Sequence, residues 1–375
     1  MKVLLAPDKF KGSLGAAAVA QALCEGWRSV LPETQFTFAP IADGGEGFCA
    51  ALTQALGGDW IALPSVDALG RPIESRYVWL EATETAVIEM SEASGLWRLQ
   101  PHERDAKRAN TFGTGLLVRD AVQRGAKRIL LGLGGSATTD GGIGMAAALG
   151  YRFLSAKTNL ELEALPLHLG EIGRIDSSQA MALPKIVAAC DVQNPLLGPR
   201  GTATVYGPQK GADDATIAFL EAGLAHLAQV VQRELGCDFR ETPGAGAAGG
   251  IGYGLLSFAQ AAMEPGFDLV AEAVGLEQRI QAADIIITGE GRLDRQTLEG
   301  KGPAGVAAMA RAAGKPVLAF AGSIDEHPEV LARFDAAVPI IDQPVSLEDA
   351  MRDAAPFLQR AAARTARLLR FPFPL

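Results

Sequence analysis

Apolar runs too short to be helices recur along this chain, and at least four of them end in a glycine loop that also carries an acid, a hydroxyl or a lysine. Between them lie segments whose apolar residues return at helical spacing. This alternation is the pattern of an α/β protein with largely parallel sheets. In open sheets of that kind ligands bind beyond the carboxyl ends of the strands, where these loops fall. Glycine use agrees: 43 of 375 residues is about 11%, against a usual level of about 7%. No G-X-Y period is present, so the glycines serve local turns and not a collagen helix.

Composition narrows the class further. With 48% hydrophobic and 21% charged residues the chain can bury a large core, and its 375 residues suggest two or three domains. A net charge of −9 without any dense Lys/Arg cluster argues against a nucleic-acid or anionic-membrane surface. Cys24, Cys49, Cys190 and Cys237 form no C-x-x-C pair, so neither a zinc site nor a disulfide framework is expected, and the cytoplasm fits best. The N-terminal apolar run, Val3 to Ala6, is too short for a signal peptide. The uncharged stretch Pro243–Met263 is rich in Gly and Ala and reads as a buried loop and helix, not a membrane span. The four histidines have no metal-ligand partner at i+3 or i+4 and read as packing or surface residues.

The expected elements place the loops. Lys2–Ala6 reads as a buried strand delivering Asp8, Lys9 and Lys11 into a loop, with Ser13 as N-cap of a helix that buries Val19, Leu23, Trp27, Val30 and Leu31. Phe36–Ala42 is a strand ending in Asp43-Gly44-Gly45-Glu46-Gly47. Gly115–Arg124 and Ala304–Ala313 read as helices leading to strands Arg128–Leu133 and Val317–Ala321. Ala283–Thr288 is a further strand, ending in the loop Gly289-Glu290-Gly291.

The richest loop is Gly134–Gly142, between a strand and the apolar helical segment Ile143–Leu149. Its glycines allow close backbone approach, its hydroxyls hydrogen-bond, and a helix N-terminus favours an anion, so phosphate or carboxylate binding competes with a plain structural turn. Gly132-x-Gly134-x-x-Ala137 matches a dinucleotide fingerprint formally, but the acidic residue about 20 positions on is missing. Gly244-x-Gly246-x-x-Gly249 follows no strand, and Gly300-Lys301 fails the Walker pattern. Asp191, after the buried strand Ile186–Ala189, is placed to serve as a general base or else forms a turn with Asn194 and Pro195. Lys210 either reaches a phosphate or lies on the surface. Glu290, Arg292, Asp294 and Lys301 suit magnesium with a polyphosphate, or a surface ion-pair cluster.

Together these loops resemble the bacterial type 1 glycerate kinase family. The segments that carry the resemblance are Ala6-Pro7-Asp8 with Phe10–Leu14, Ala42–Gly47, Glu89-Met90 with Ala93–Leu96, and Thr111 with Gly113–Gly115. They continue through Gly134–Thr138 with Asp140–Gly142, Cys190–Val192 with Asn194–Leu196, Gly207–Gly211, Pro243–Gly250, and Thr288–Gly291 with Asp294, Gly300 and Lys301. Nine segments in order from residue 6 to about 301 are a specific signal.

The resemblance implies ATP- and magnesium-dependent phosphorylation of D-glycerate to 2-phosphoglycerate, in glyoxylate or sugar-acid catabolism. It implies two α/β domains, one inserted in the other, with the active site in the interdomain cleft: a discontinuous Rossmann- or flavodoxin-like domain of residues 1–65 plus 280–375, and an inserted domain of 66–279. On that reading the expected catalytic residues are Asp191, to orient or deprotonate the glycerate hydroxyl, and Lys11 and Lys210, to neutralise phosphate charge. Asp8, Ser94, Gly134, Gly135, Ser136, Thr138, Asp140, Asn194, Gly289 and Lys301 become substrate or nucleotide contacts, and Asp43, Glu46, Glu290 and Asp294 the magnesium candidates. The partners are small molecules, with no nucleic acid or membrane, and a homodimer is left open. Two competing readings are a nicotinamide oxidoreductase, which lacks its ribose-binding acid, and a non-catalytic sugar-acid sensor, which would need no such set of acidic loops.

Overall fold

A computed structural model of the chain describes residues 1–42, 44–299, 302–325 and 327–370. In chain order the strands are β1 (Lys2–Leu5), β2 (Gln35–Phe38), β3 (Asp59–Val66), β4 (Pro72–Leu80), β5 (Thr85–Glu89) and β6 (Arg128–Gly132). They continue with β7 (Arg152–Ser155), β8 (Ile172–Asp176), β9 (Lys185–Ala189), β10 (Ala262–Glu264), β11 (Ile285–Leu293), β12 (Val317–Ile324) and β13 (Ala336–Pro339). The helices used below are α1 (Ala16–Arg28), α2 (Phe112–Gln123), α3 (Ile143–Ala148) and α4 (Asp214–Leu235). Three more follow: α5 (Ala247–Ala259), α6 (Pro303–Ala312) and α7 (Ala354–Leu368). Two compact units result, one of Met1–Asp43, Ala50–Ala55 and Phe267–Leu375, the other of Gly44–Cys49 and Leu56–Gly266.

The first unit is built on a five-stranded sheet of order β13-β12-β11-β1-β2. Every neighbouring pair in it is parallel. Val3, Leu4 and Leu5 of β1 are all buried, as expected of a strand covered on both faces. The chain leaves β1 for β2 on one side and runs from β11 through β12 to β13 on the other, so the order reverses between β1 and β11. Loops diverging at such a switch point leave a crevice at the carboxyl ends of the strands. Val19, Leu23 and Trp27 of α1 pack with Phe357 and Leu358 of α7 and with Val3, Leu5, Ile287 and Phe320 of the sheet.

Two local expectations change. Ser13 is not a helix cap: α1 begins after Gly15, and the Ser13 hydroxyl donates to the Met351 carbonyl instead. Gly289–Gly291 is not a loop but the continuation of β11, because β12 supplies ladder partners through Glu290↔Ala321, Arg292↔Ser323 and Leu293↔Ile324. Thus β11 outruns β1, which pairs with it only from Val3↔Ile285 to Leu5↔Ile287. The charged residues Glu290 and Arg292 are therefore presented from a strand, held more firmly than a loop would hold them.

The second unit has a six-stranded mixed sheet of order β10-β9-β6-β5-β4-β3 and a separate two-stranded ribbon of β7 and β8. Strands β5, β6, β9 and β10 run parallel, while β3, β4 and β5 form an antiparallel meander. Helix α4 starts on the Asp213 side chain, which accepts from the Thr216 amide at 2.8 Å, and ends at Gly236 in the left-handed region. Its buried Leu220, Leu224, Leu227 and Val231 join Phe153, Ile172, Tyr253 and Phe258 in one core. Helix α5, from the uncharged stretch Pro243–Met263, is almost wholly buried. Among the described residues no helix is long and apolar enough to cross a membrane.

The α1–α7 packing depends on a glycine. A Cβ at Gly26 would stand 2.1 Å from the Gln359 carbonyl oxygen, a backbone atom that cannot rotate away. Gly26→Ala should therefore force the helices apart and cost about 1–3 kcal/mol, read as a lowered midpoint in urea unfolding with an unchanged slope. A wild-type midpoint would show that the pair of helices yields without cost.

Candidate active site

In the first unit the switch point holds a pocket of about 400 Å3 lined by Asp8, Lys9, Lys11, Glu290, Arg292, Asp294 and Thr297, with backbone from Gly291 and Gly302. After β1 the chain stays beside β11: the Asp8 amide donates to the Gly289 carbonyl at 2.8 Å, and the Thr288 hydroxyl donates to the Ala6 carbonyl at 2.7 Å. Gly289 thus acts through its backbone, fixing Asp8 at the rim. Asp8 is almost buried, with Lys9 Nζ 3.9 Å from its Oδ1. Lys11 is exposed. Glu290 Oε1 accepts from the Thr297 hydroxyl at 2.8 Å, and Asp294 Oδ2 lies 3.2 Å from Arg292 Nε. Helix α6 begins at Pro303, next to this pocket, and among the described residues its N-cap, Gly302, supplies no side-chain cap.

The donor set is all oxygen and carries both signs of charge. Among the described residues no group of three or more acidic, histidine or cysteine side chains forms a closed metal cage. Magnesium fits such a site, because it is commonly held by one or two carboxylates together with water and substrate phosphates. Glu290 and Asp294 share this pocket. Glu46 belongs to the second unit, and Asp43 and Lys301 lie outside the described residues.

In the second unit the loops gather at the carboxyl ends of β5, β6 and β9. Glu89, the last residue of β5, accepts from the Gly47 amide at 3.1 Å and the Cys49 amide at 2.8 Å, which anchors the Gly44–Gly47 turn and leaves Glu46 exposed. A Cβ at Gly134 would lie 2.3 Å from the Gly45 Cα, so this crossing of two backbones requires glycine. On the other flank the Leu96 amide donates to the Gly135 carbonyl at 2.7 Å and the Ala137 amide to the Ser94 carbonyl at 2.9 Å.

Several side chains named from sequence turn inward here. Asp140 is fully buried: its Oδ2 accepts from the Thr111 hydroxyl at 2.7 Å, the Thr111 amide at 2.8 Å and the Gly144 amide at 3.1 Å, while Oδ1 accepts from the Gly142 amide at 3.1 Å. Burial pushes its pKa up, and those hydrogen bonds pull the other way. Ser94 is buried 2.8 Å from the Thr114 hydroxyl, and Ser136 and Thr138 hold each other at 3.0 Å. Asn194 donates to the Arg200 carbonyl at 2.7 Å and accepts from the Tyr206 hydroxyl at 2.8 Å. Asp191 is half-buried just past β9, with Oδ1 accepting from the Gly266 amide at 3.1 Å.

Lys210 settles one open alternative, since it is buried and not on the surface. Its Nζ donates to the Thr138 carbonyl at 2.5 Å and to Ser136 Oγ at 3.3 Å, bracing the glycine loop from beneath. Burial pulls its pKa down to about 7, only partly offset by Asp140. Cys190, by contrast, is held protonated, its thiol pushed up to about 11 by burial. Residues that sequence reasoning left without a role include Thr297, Thr111 and Glu89. Thr297 carries a signal in hindsight, the Asp-x-x-Thr spacing of a helical first turn, and Glu89 another, as a lone acid ending an apolar strand.

An α/β chain with its acids, lysines and glycine turns gathered at strand ends, and no reactive thiol, has the equipment of a small-molecule kinase. The chain belongs to the glycerate kinase family, whose model matches residues 3–370. It is 42% identical over 374 residues to a glycerate kinase of Halalkalibacterium halodurans, covering 97% of each chain. With the glycerate 2-kinase of Escherichia coli K12 it shares 39% identity over 378 residues and 98% of each chain. A crystal structure of a protein from Salmonella typhimurium LT2, provisionally named glycerate kinase 2, superposes with a TM-score of 0.85 at 38% identity, covering 99% of this chain and 98% of that one.

Lys210 makes a prediction with a defined sign. Between about pH 7 and the ordinary lysine value of 10.5 the unfolded chain binds more protons than the folded one, so stability rises with pH across that window. The penalty for burying the charge is present in full below it. The melting temperature of wild type should therefore rise more steeply from pH 7 to 9.5 than that of Lys210→Met. Equal slopes would show that the buried amine keeps its proton throughout.

Proposed function

We propose that the protein transfers the γ-phosphoryl group of ATP to the C2 hydroxyl of D-glycerate, giving 2-phosphoglycerate and ADP in the catabolism of glyoxylate or sugar acids in the cytoplasm. The observation that carries this reading is the switch-point pocket, where Asp8, Glu290 and Asp294 stand among Lys9, Lys11 and Arg292, in a chain of the glycerate kinase family. A triphosphate needs cations around it, and its divalent metal needs a carboxylate or two.

Lys11 and Arg292 draw the phosphates toward the pocket, and Glu290 and Asp294 hold magnesium directly or through water. When bound, that ion neutralises charge on the transferring group and shapes the triphosphate. The uncapped N-terminus of α6 adds backbone donors on the same side. In the second unit the backbone of Gly134 and Gly135 receives the glycerate carboxylate or a phosphate, with Lys210 bracing that loop and adding charge when protonated. Ser94, Ser136, Thr138, Asp140 and Asn194 serve the site by shaping it.

Asp191 takes the proton of the substrate hydroxyl as its oxygen bonds to the γ-phosphorus. The bond from that phosphorus to the β–γ bridging oxygen breaks, and ADP leaves with the electron pair. The Gly266 amide donates to Asp191 Oδ1 and so fixes the direction in which the carboxylate points.

Purified protein incubated with ATP, magnesium and D-glycerate should release ADP and yield 2-phosphoglycerate by NMR. The 3-phospho product would overturn the choice of hydroxyl, and no ADP with any hydroxy acid would overturn the kinase reading. Asp191→Asn should lower kcat about 10²–10⁴-fold with little change in the KM for glycerate. Near-normal turnover by that variant would remove Asp191 from the proton transfer.

A further inference from the structure

We propose that Thr297 is a positioning residue that sets the direction in which Glu290 presents its carboxylate to a divalent cation, with the backbone of Asp294 pinned beside it. The proposal rests on the reading of the switch-point pocket as a metal–phosphate site. Thr297 is 6% exposed and lies in the one-turn helix Arg295–Glu299 that follows β11. Its hydroxyl does two things at once. It accepts from the Asp294 amide at 3.0 Å and donates its single proton to Glu290 Oε1 at 2.8 Å, while its own amide donates to the Asp294 carbonyl at 3.0 Å.

The chemistry of a hydroxyl makes this chain directional. A threonine has one proton to give, and the amide of Asp294 can only donate, so that proton goes to the carboxylate of Glu290. Each bond polarises the next, which a partly buried setting strengthens. Glu290 stands on a strand and Asp294 on the turn after it, four residues apart. Thr297 joins them, through the Glu290 carboxylate and the Asp294 backbone.

Geometry matters here because magnesium demands near-ideal octahedral coordination with short bonds to oxygen, and a carboxylate rotated off its bearing cannot supply it. Groups that orient a metal's ligands without touching the metal commonly change its affinity 10–100-fold. Valine has nearly the shape of threonine without the hydroxyl, so Thr297→Val removes the link and little else.

The test is Mn2+ binding to the full chain in the presence of ADP, followed by the EPR signal of the free ion, with no turnover required. Thr297→Val should weaken Mn2+ binding about 10–100-fold, and Thr297→Ser should restore it to within about threefold of wild type. The KM for magnesium in the kinase assay should move in parallel, with a smaller change in kcat at saturating metal. If Glu290→Gln weakens Mn2+ binding and Thr297→Val does not, Thr297 is only a structural residue and the proposal falls. If Glu290→Gln leaves Mn2+ binding unchanged, the reading of the pocket as a metal site falls with it. Thr297→Ala, which adds no bulk, reads the same quantity should the valine variant fail to fold.

Discussion

A single buried carboxylate organises the second unit. Asp140 gathers four donors from Thr111, Gly142 and Gly144, and through them it ties the glycine loop to the start of α2 and the start of α3. The Met145 amide closes the circuit on the Thr111 hydroxyl at 2.8 Å. An acid removed from water is tolerable only when its lone pairs are met in this way, and leaving the donors without it would cost several hydrogen bonds at once. The loop Gly134–Gly142 owes its shape to that bargain. Ser136, Thr138 and Lys210 then fasten its first half, so that the backbone itself is the surface on offer.

The two units solve the same problem differently. In the first, charged side chains project from a strand that outruns its neighbour, and the pocket is lined by acids and bases from β1, β11 and the turns that follow. In the second, Asp140 and Lys210 are drawn inward while the backbone of Gly134 and Gly135 is left more open. A polyphosphate with its metal suits the first chemistry, since it needs compact ions and carboxylates. A small anion with hydroxyl groups suits the second, where amides and a single acid such as Asp191 can be set with little freedom to move.

Much of this was legible in the residues. Short apolar runs, parallel-sheet alternation and glycine at strand ends follow from local chemistry, and so the strands at Lys2–Leu5, Arg128–Gly132, Lys185–Ala189 and Val317–Ile324 appear close to where the pattern puts them. The nine ordered segments carried the family, which the comparisons establish over nearly the whole chain. Less legible were features whose partner is remote in sequence. Ser13 looks like a cap until Met351, 338 residues away, claims its hydroxyl. Gly289–Gly291 looks like a loop until β12 extends the ladder past it. Lys210 looks exposed or phosphate-bound, and no spacing reveals that Thr138 and Ser136 lie above it.

What the sequence determined alone is the class of element and the kind of chemistry: where strands and helices fall, which residues are acids and bases, and that they collect where strands end. Those are consequences of neighbours within a few positions along the chain. Tertiary structure decided which of the polar residues line a pocket and which face each other. Ser94, Asp140 and Asn194 look on paper as available as Asp8, Glu290 and Asp294, yet only the last three line a pocket. Ser94 meets the Thr114 hydroxyl, Asp140 the groups of Thr111, Gly142 and Gly144, and Asn194 the Arg200 carbonyl and the Tyr206 hydroxyl. The reason is physical: a polar group's role depends on who satisfies it, and in a buried loop that partner is supplied by folding, not by the residues beside it.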